Sequence, residues 1–208
     1  MTSIAISPGP QISGMASGTI YGSFSSVTAF SEKVENIMVI FGGADPSDLT
    51  GRLYNIAKEL HKEFPKIKFH FLVGFAYNHK DRIVDDEANN IYVHNDAKRV
   101  SAYMSKTDLA ITSQGRTVFE LASMGVPAVV LAQNEREAEH VFAGIQNGFI
   151  NLGIGREQDD STIISTVKWL IMTPNVRSEM RRLQLTKDFS KGQERVIHLI
   201  LNDLDDDD

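Results

Sequence analysis

Three short polar segments in this chain each follow an apolar run and lead into a helix-like stretch. Gly42 and Gly43 follow the run 37–41; Ser113, Gln114, Gly115 and Thr117 follow 108–112; Gln133 and Asn134 follow 127–132. A residue without a Cβ tolerates positive φ and lets backbone N–H groups approach an anion closely, and a helix N-terminus favours negative charge. The Gly42-Gly43 pair therefore reads as a phosphate cradle, or as nothing more than a tight turn. It matches neither the GxGxxG nor the GxxxxGK[ST] spacing. In the second segment Glu120 falls within the first turns of the helix that Gly115 opens. A carboxylate there accepts hydrogen bonds from two vicinal hydroxyls, as in holding a ribose, but it also stabilises a helix N-terminus with no ligand present. The amides of Gln133 and Asn134 suit sugar hydroxyls, and equally a solvated loop.

Other chemistries find little support. The six histidines form no HExxH or other metal spacing; His140 is the best placed to reach the three segments, on the helix expected after Gln133. Asp85, Asp86 and Glu87 form a carboxylate cluster, but Lys80, Asn89 and Asn90 beside it read as a solvated turn, so no metal site is expected. There is no GxSxG elbow and no cysteine, which removes the usual serine and thiol nucleophiles. A dinucleotide site of the NAD type is disfavoured, because the first glycine turn lacks a third glycine and the second strand ends in Val73-Gly74 without an acidic ribose ligand.

The elements that must carry these segments follow from the pattern. Short apolar strands near 37–41, 68–73, 90–94, 108–112 and 127–132, with a weaker one near 149–152, alternate with helical stretches. The first helix, 47–64, has Leu49, Leu53, Ile56, Ala57, Leu60 and Phe64 at helical spacing, Ser47 as the expected N-cap and Pro65 as its stop. Helices are also expected over 161–172, 174–185 and 193–204. The fold class is therefore α/β: a Rossmann-like parallel sheet of about six strands with flanking helices. Ligands in such folds gather beyond the carboxyl ends of the strands, where all three polar segments lie.

Composition bounds the rest. The 208 residues, 42% of them hydrophobic, suit one well-packed domain. Fifteen of the first 31 residues are Ser, Thr or Gly, so 1–33 reads as an arm or linker, with the domain over 34–204 and an acidic tail at 205–208. The formal charge is −6, but five acids lie within the last six residues; the body is close to neutral, with no basic stripe for nucleic acid. The absence of cysteine fits a reducing compartment, and no apolar run is long enough to span a bilayer, so a cytoplasmic chain without a transmembrane segment is the expectation.

The segments FGGADP at 41–46, DLAITSQGRTVFELASMGVPAVVL at 108–131 and DFSKGQERV at 188–196 occur in the same order in one family. Over about 34–204 the chain resembles the nucleotide-sugar hydrolase of pseudaminic acid biosynthesis. It is similar also to spore-coat polysaccharide proteins and, more distantly, to the lipid II-forming N-acetylglucosaminyltransferase. The resemblance implies the C-terminal, donor-binding half of a GT-B architecture that binds a UDP-amino sugar without a cofactor. It implies that Gly42 and Gly43 face the diphosphate, that Ser113, Gln114, Gly115 and Thr117 line the phosphate and sugar side, that Glu120 holds the ribose and that Gln133 and Asn134 touch the sugar. Versions fused to a cytidylyltransferase domain look most similar. The family's N-terminal acceptor domain, with its proposed catalytic histidine, has no counterpart in these residues, so no catalytic residue is assigned here. A non-catalytic nucleotide-sugar-binding or assembly module is the alternative expectation.

Overall fold

The computed structural model describes residues 27–187 and 189. The expected helix over 193–204, the acidic tail and most of the arm lie outside these residues. Six strands form one parallel sheet: β1 (Asn36–Ile40), β2 (Lys68–Val73), β3 (Ile91–Asn95), β4 (Leu109–Thr112), β5 (Ala128–Ala132) and β6 (Phe149–Ile154). Their order is β3-β2-β1-β4-β5-β6. The chain builds outward from β1 to β3, crosses back to lay β4 beside β1, and builds outward the other way. The strand order thus reverses between β1 and β4, the point at which open α/β sheets leave a crevice beyond their strand ends.

The strands read as continuous apolar runs because both faces are covered. Alternation along β1 sends Ile37 and Val39 into one core with Phe69, Phe71, Ile111 and Val129, and Met38 and Ile40 into the other with Leu72, Ala110 and Val130. The first core is closed by α1 (Leu49–Glu63) and α5 (Asp160–Met172), which supply Leu53, Leu60, Ile163 and Val167. The second is closed by α3 (Thr117–Met124) and the five-residue α2 (Val100–Met104), an element too short to stand out in the sequence. A four-residue α4 (Glu135–Ala138) follows β5, and α6 (Pro174–Leu185) packs across the β5–β6 end.

Helix α6 carries the buried side chains of Arg177 and Gln184 and the partly buried Arg181, all of which donate to backbone carbonyls. Arg177, 0% exposed, donates to the carbonyls of Leu170 (2.9 Å), Ser31 (2.9 Å) and Glu32 (2.5 Å). Arg181 donates to Thr28 Oγ1 and to the Gly125 carbonyl, each at 2.8 Å. Residues 28–32, which composition assigns to the end of the arm, are thereby fastened to the domain. Gln184 spans from the Val126 to the Gly148 carbonyl at 3.0 and 3.1 Å. Backbone carbonyls that no strand or helix serves find their donors here, as buried acceptors require.

One local expectation is corrected. Ser47 does not cap α1; its hydroxyl donates to the Gln133 carbonyl at 2.6 Å, tying the loop after β1 to the loop after β5. The cap position is Asp48, in the left-handed region at φ 51° and without a side-chain cap bond. The capping is done from further back, by Asp45.

Candidate functional site

The loops after β1, β4 and β5 converge on one cleft of about 290 Å³ at the carboxyl ends of the strands. Gly42 and Gly43 form its first wall, Ser113, Gly115 and Thr117 its second, and Gln133 and Asn134 its third. Seven of the nine residues singled out from the sequence thus meet in one place. Gln114 and Glu120 do not line it.

The glycine wall depends on a residue outside it. Gly42 lies at φ +78°, and a Cβ on Gly74, just past β2, would sit 2.3 Å from the Gly42 carbonyl oxygen and 2.5 Å from Gly43 Cα. The Ala76 N–H donates to the Gly43 carbonyl at 2.9 Å. The turn after β2 therefore holds the glycine loop from behind, an approach only a residue without a side chain permits. No heavy atom lies within 4 Å of where a Cβ on Gly43 would sit, so the face it turns to the cleft is open.

The two helices at the cleft differ in what occupies their N-termini. At α1 the position of a bound anion is taken by the protein itself. Asp45, 4% exposed, accepts from the Leu49 N–H at 3.1 Å and the Thr50 N–H at 2.6 Å. Burial raises its pKa, and the bonds from Thr50 and Leu49 pull it back without cancelling that rise. The expectation that α1 would present its N-terminus to a phosphate is thus corrected. At α3 the N-cap, Arg116, makes no side-chain cap bond, and Gly115, Arg116 and Thr117 all line the cleft. The Thr117 and Val118 N–H groups that open this helix find no acceptor among the described residues, and they lie in the wall beside the glycine loop with Arg116 in the same lining.

The third wall is braced internally. Asn134 caps α4 by accepting from the Glu137 N–H at 3.0 Å, and the Glu137 carboxylate accepts from the Gln133 N–H at 2.9 Å. This is close to a capping box, shifted by one residue. Gln133 Nε2 donates to the Phe41 carbonyl at 2.7 Å, which sets the amide's orientation and leaves its buried Oε1 without a partner among the described residues.

Gln114 is turned away. Its amide donates to the His140 carbonyl, its Oε1 accepts from Asn151 at 3.0 Å, and its own carbonyl accepts from His140 Nδ1 at 2.9 Å. His140 lies beyond the end of α4 rather than on it, and its ring braces the Gln114 loop. Glu120 sits one turn along α3 from Thr117. The residue as a whole is exposed, yet protein around its carboxyl desolvates it enough to raise its pKa. The Asp85–Glu87 region serves structure: Asp85 accepts from the Val93 N–H at 2.7 Å, and Asp86 caps a short 3-10 turn at Asn89 and pairs with Lys58 at 3.4 Å. Sequence reasoning passed over Asp45, Gly74 and Glu137. For Asp45 a signal was present, an Asp shortly before a helix start; for Gly74 and Glu137 the partners are distant in the chain or belong to a helix of a single turn.

No family model matches the chain. Over 113 residues it is 30% identical to a protein of unassigned function from Methanocaldococcus jannaschii, covering 52% of this chain and 23% of that one. Over 154 residues it is 26% identical to the spore coat polysaccharide biosynthesis protein SpsG of Bacillus subtilis, covering 71% of this chain and 44% of SpsG. Among solved structures, MurG of Acinetobacter baumannii superposes with a TM-score of 0.63 at 19% identity, covering 83% of this chain and 51% of that one. A UDP-GlcNAc 2-epimerase from Neisseria meningitidis, bound to UDP-GlcNAc, gives 0.60 at 19%, with 83% and 45% covered. The fold is therefore the Rossmann-like α/β unit found in GT-B glycosyltransferases and UDP-GlcNAc epimerases, and the chain spans about half the length of these proteins or less. Among the described residues no helix is long and apolar enough to cross a membrane.

Proposed function

We propose that this chain is the donor-binding half of a two-domain enzyme acting on a UDP-linked amino sugar in surface polysaccharide or nonulosonic-acid biosynthesis, by hydrolysis or glycosyl transfer. The observation that carries this reading is the uncapped N-terminus of α3 facing the glycine loop across one cleft. In this reading the diphosphate lies between the two. The N–H groups of Gly42, Gly43 and the first turn of α3 donate to its oxygens, with Ser113, Thr117 and Arg116 beside them. As the anomeric C–O bond breaks, charge grows on the β-phosphate, and these fixed donors stabilise it without reorganising. Asn134 and Gln133, which line the third wall, address sugar hydroxyls. Glu120, one turn further along α3, takes the ribose. Similarity to SpsG supports the polysaccharide setting, and the UDP-GlcNAc bound to the epimerase neighbour supports the ligand class.

A second observation bears on catalysis. Of the titratable groups at or beside the cleft, Asp45 is engaged with α1, Glu137 with the Gln133 N–H and His140 with the Gln114 carbonyl, while Glu120 is given to the ribose in this reading. The chain's own part is then to hold the leaving group, and the base that activates water or a sugar hydroxyl comes from an acceptor domain. The same fact suits a module that binds a nucleotide-sugar beside a cytidylyltransferase domain and performs no chemistry. Calorimetry with UDP and UDP-GlcNAc tests the shared claim. Saturable binding of both is expected, and no heat with either at millimolar ligand overturns it. Release of UDP only when an acceptor domain is supplied separates the enzyme half from the module.

A further inference from the structure

A second and larger cavity, of about 850 Å³, lies between α2 and the β1–β2–β3 half of the sheet. It shares no lining residue with the glycine cleft and runs along this face of the sheet from Asn36 and Lys68, which open β1 and β2, to Ala97, Lys98 and Arg99, just past β3. We propose that it is a binding site for a small aromatic phosphomonoester: a phosphate-class dianion joined to a planar ring.

The charge argument comes first. Lys68, Lys98, Arg99 and Lys106 all line the cavity, and no carboxylate does. Among the described residues none of the four forms an ion pair, whereas Arg52, Lys58, Lys80, Arg156, Lys168 and Arg182 each do. Three acids near the lining residues are engaged elsewhere: Asp108 accepts from the N–H groups of Glu35 and Asn36 at 2.9 Å each, Asp85 from that of Val93, and Asp96 pairs with Lys80 at 3.4 Å. In a chain of net charge −6, four uncompensated cations around one hollow make a local field suited to a multivalent anion.

The floor supplies the ring-binding part. On adjacent strands His70 stacks between Tyr92 and His94, with centroids 5.4 Å apart on each side, and Tyr103 of α2 leans on His94 at 4.5 Å. The hydrogen bonds assign the tautomers. His70 Nε2 is 3.3 Å from Asn36 Oδ1, an acceptor, so it carries the proton; His70 Nδ1 then accepts from His94 Nε2 at 3.2 Å. Both imidazoles are neutral in this arrangement, and His94 Nδ1 is left as an acceptor. Burial, the facing imidazole of His94 and the ammonium groups of Lys68 and Lys106 hold His70 in that state. The cations are therefore supplied by lysine and arginine, and the ring cluster gives the floor an uncharged surface against which a planar ligand ring can pack. The Tyr103 hydroxyl has no hydrogen-bond partner among the described residues and is available to a ligand. The volume lies within the range of sites that enclose small molecules.

Titration of the histidine ring protons by NMR tests this, with phenyl phosphate, inorganic phosphate and phenol as probes at neutral pH and physiological salt. Phenyl phosphate is expected to shift the His70 and His94 signals saturably, inorganic phosphate to do so more weakly, and phenol to leave them in place. A Lys68→Ala, Lys106→Ala double variant, which alters only exposed side chains, is expected to lose roughly tenfold in phenyl phosphate affinity while its UDP affinity is unchanged. Static His70 and His94 signals, movement of the His140 signal alone, or full affinity in the double variant would each overturn the second site. None of these outcomes depends on whether the glycine cleft binds UDP.

Discussion

Gly74 and Gly42 are packed backbone to backbone, so that a single methyl group on Gly74 would fall 2.3 Å from the Gly42 carbonyl oxygen. Neither residue can retreat easily, because the Ala76 N–H is bonded to the Gly43 carbonyl and the Ser47 hydroxyl ties the same loop to Gln133. Gly74→Ala is expected to destabilise the fold by about 1–3 kcal/mol, as overpacking of a rigid contact does. It is also expected to displace the glycine wall, so UDP affinity falls as well. Urea denaturation and calorimetry on the same variant check both effects; unchanged values in both show that the loop gives way freely.

Glu120 and Gln114 separate ligand binding from scaffolding. Glu120→Ala is expected to weaken UDP binding by about 1–3 kcal/mol, the loss of hydroxyl hydrogen bonds to a charged acceptor, with the melting temperature unchanged. Gln114→Ala removes a buried amide that joins His140 to Asn151. It is expected to destabilise by about 1–3 kcal/mol through unpaired polar groups, and to affect UDP only through the loop it holds. Thermal melts beside calorimetry distinguish the two patterns.

Asp45 acts as a built-in anion at the start of α1. Asp45→Ala leaves the Leu49 and Thr50 N–H groups without their acceptor and is expected to cost about 1–2 kcal/mol, as loss of a helix cap does. Asp45→Asn keeps an acceptor oxygen and is expected to recover part of that loss. Chemical denaturation of the two variants against the parent checks the order.

His70 predicts a pH dependence of stability. Its pKa is lowered from 6.5 to about 4 by burial, by His94 and by Lys68 and Lys106, with Asn36 and Tyr92 completing its surroundings. The folded state then binds fewer protons than the unfolded chain between these values, so stability rises with pH across that window. The contribution is full above pH 6.5 and is lost as pH falls towards 4. Unscreened, the shift corresponds to about 3.4 kcal/mol; for a partly exposed ring, solvent screening reduces this to about 1–2 kcal/mol. His70→Gln, which cannot titrate, is expected to flatten the stability–pH profile between pH 4 and 6.5, as read by urea denaturation at each pH.

The alternation of strand and helix was legible from residue types alone. All six strands and helices α1, α5 and α6 lie within about two residues of where period and punctuation put them, because apolar alternation, helical spacing and residues such as Pro65 and Pro174 act locally. Gly42, Gly43, Ser113, Gly115, Thr117, Gln133 and Asn134 could be singled out for the same reason: each lies at a strand end. What the chain could not show in one dimension is which groups are already satisfied. Asp45 fills the N-terminus of α1, Gln114 turns to His140 and Asn151, and Gly74 braces Gly42, all through contacts set by the order β3-β2-β1-β4-β5-β6. The same order gathers Lys68, Lys98, Arg99 and Lys106 around stacked rings, although in sequence they form no stripe. Hydrogen bonding and Coulomb attraction depend on distance in space, so the partner of a side chain, and hence its freedom to meet a ligand, was decided only when the sheet assembled.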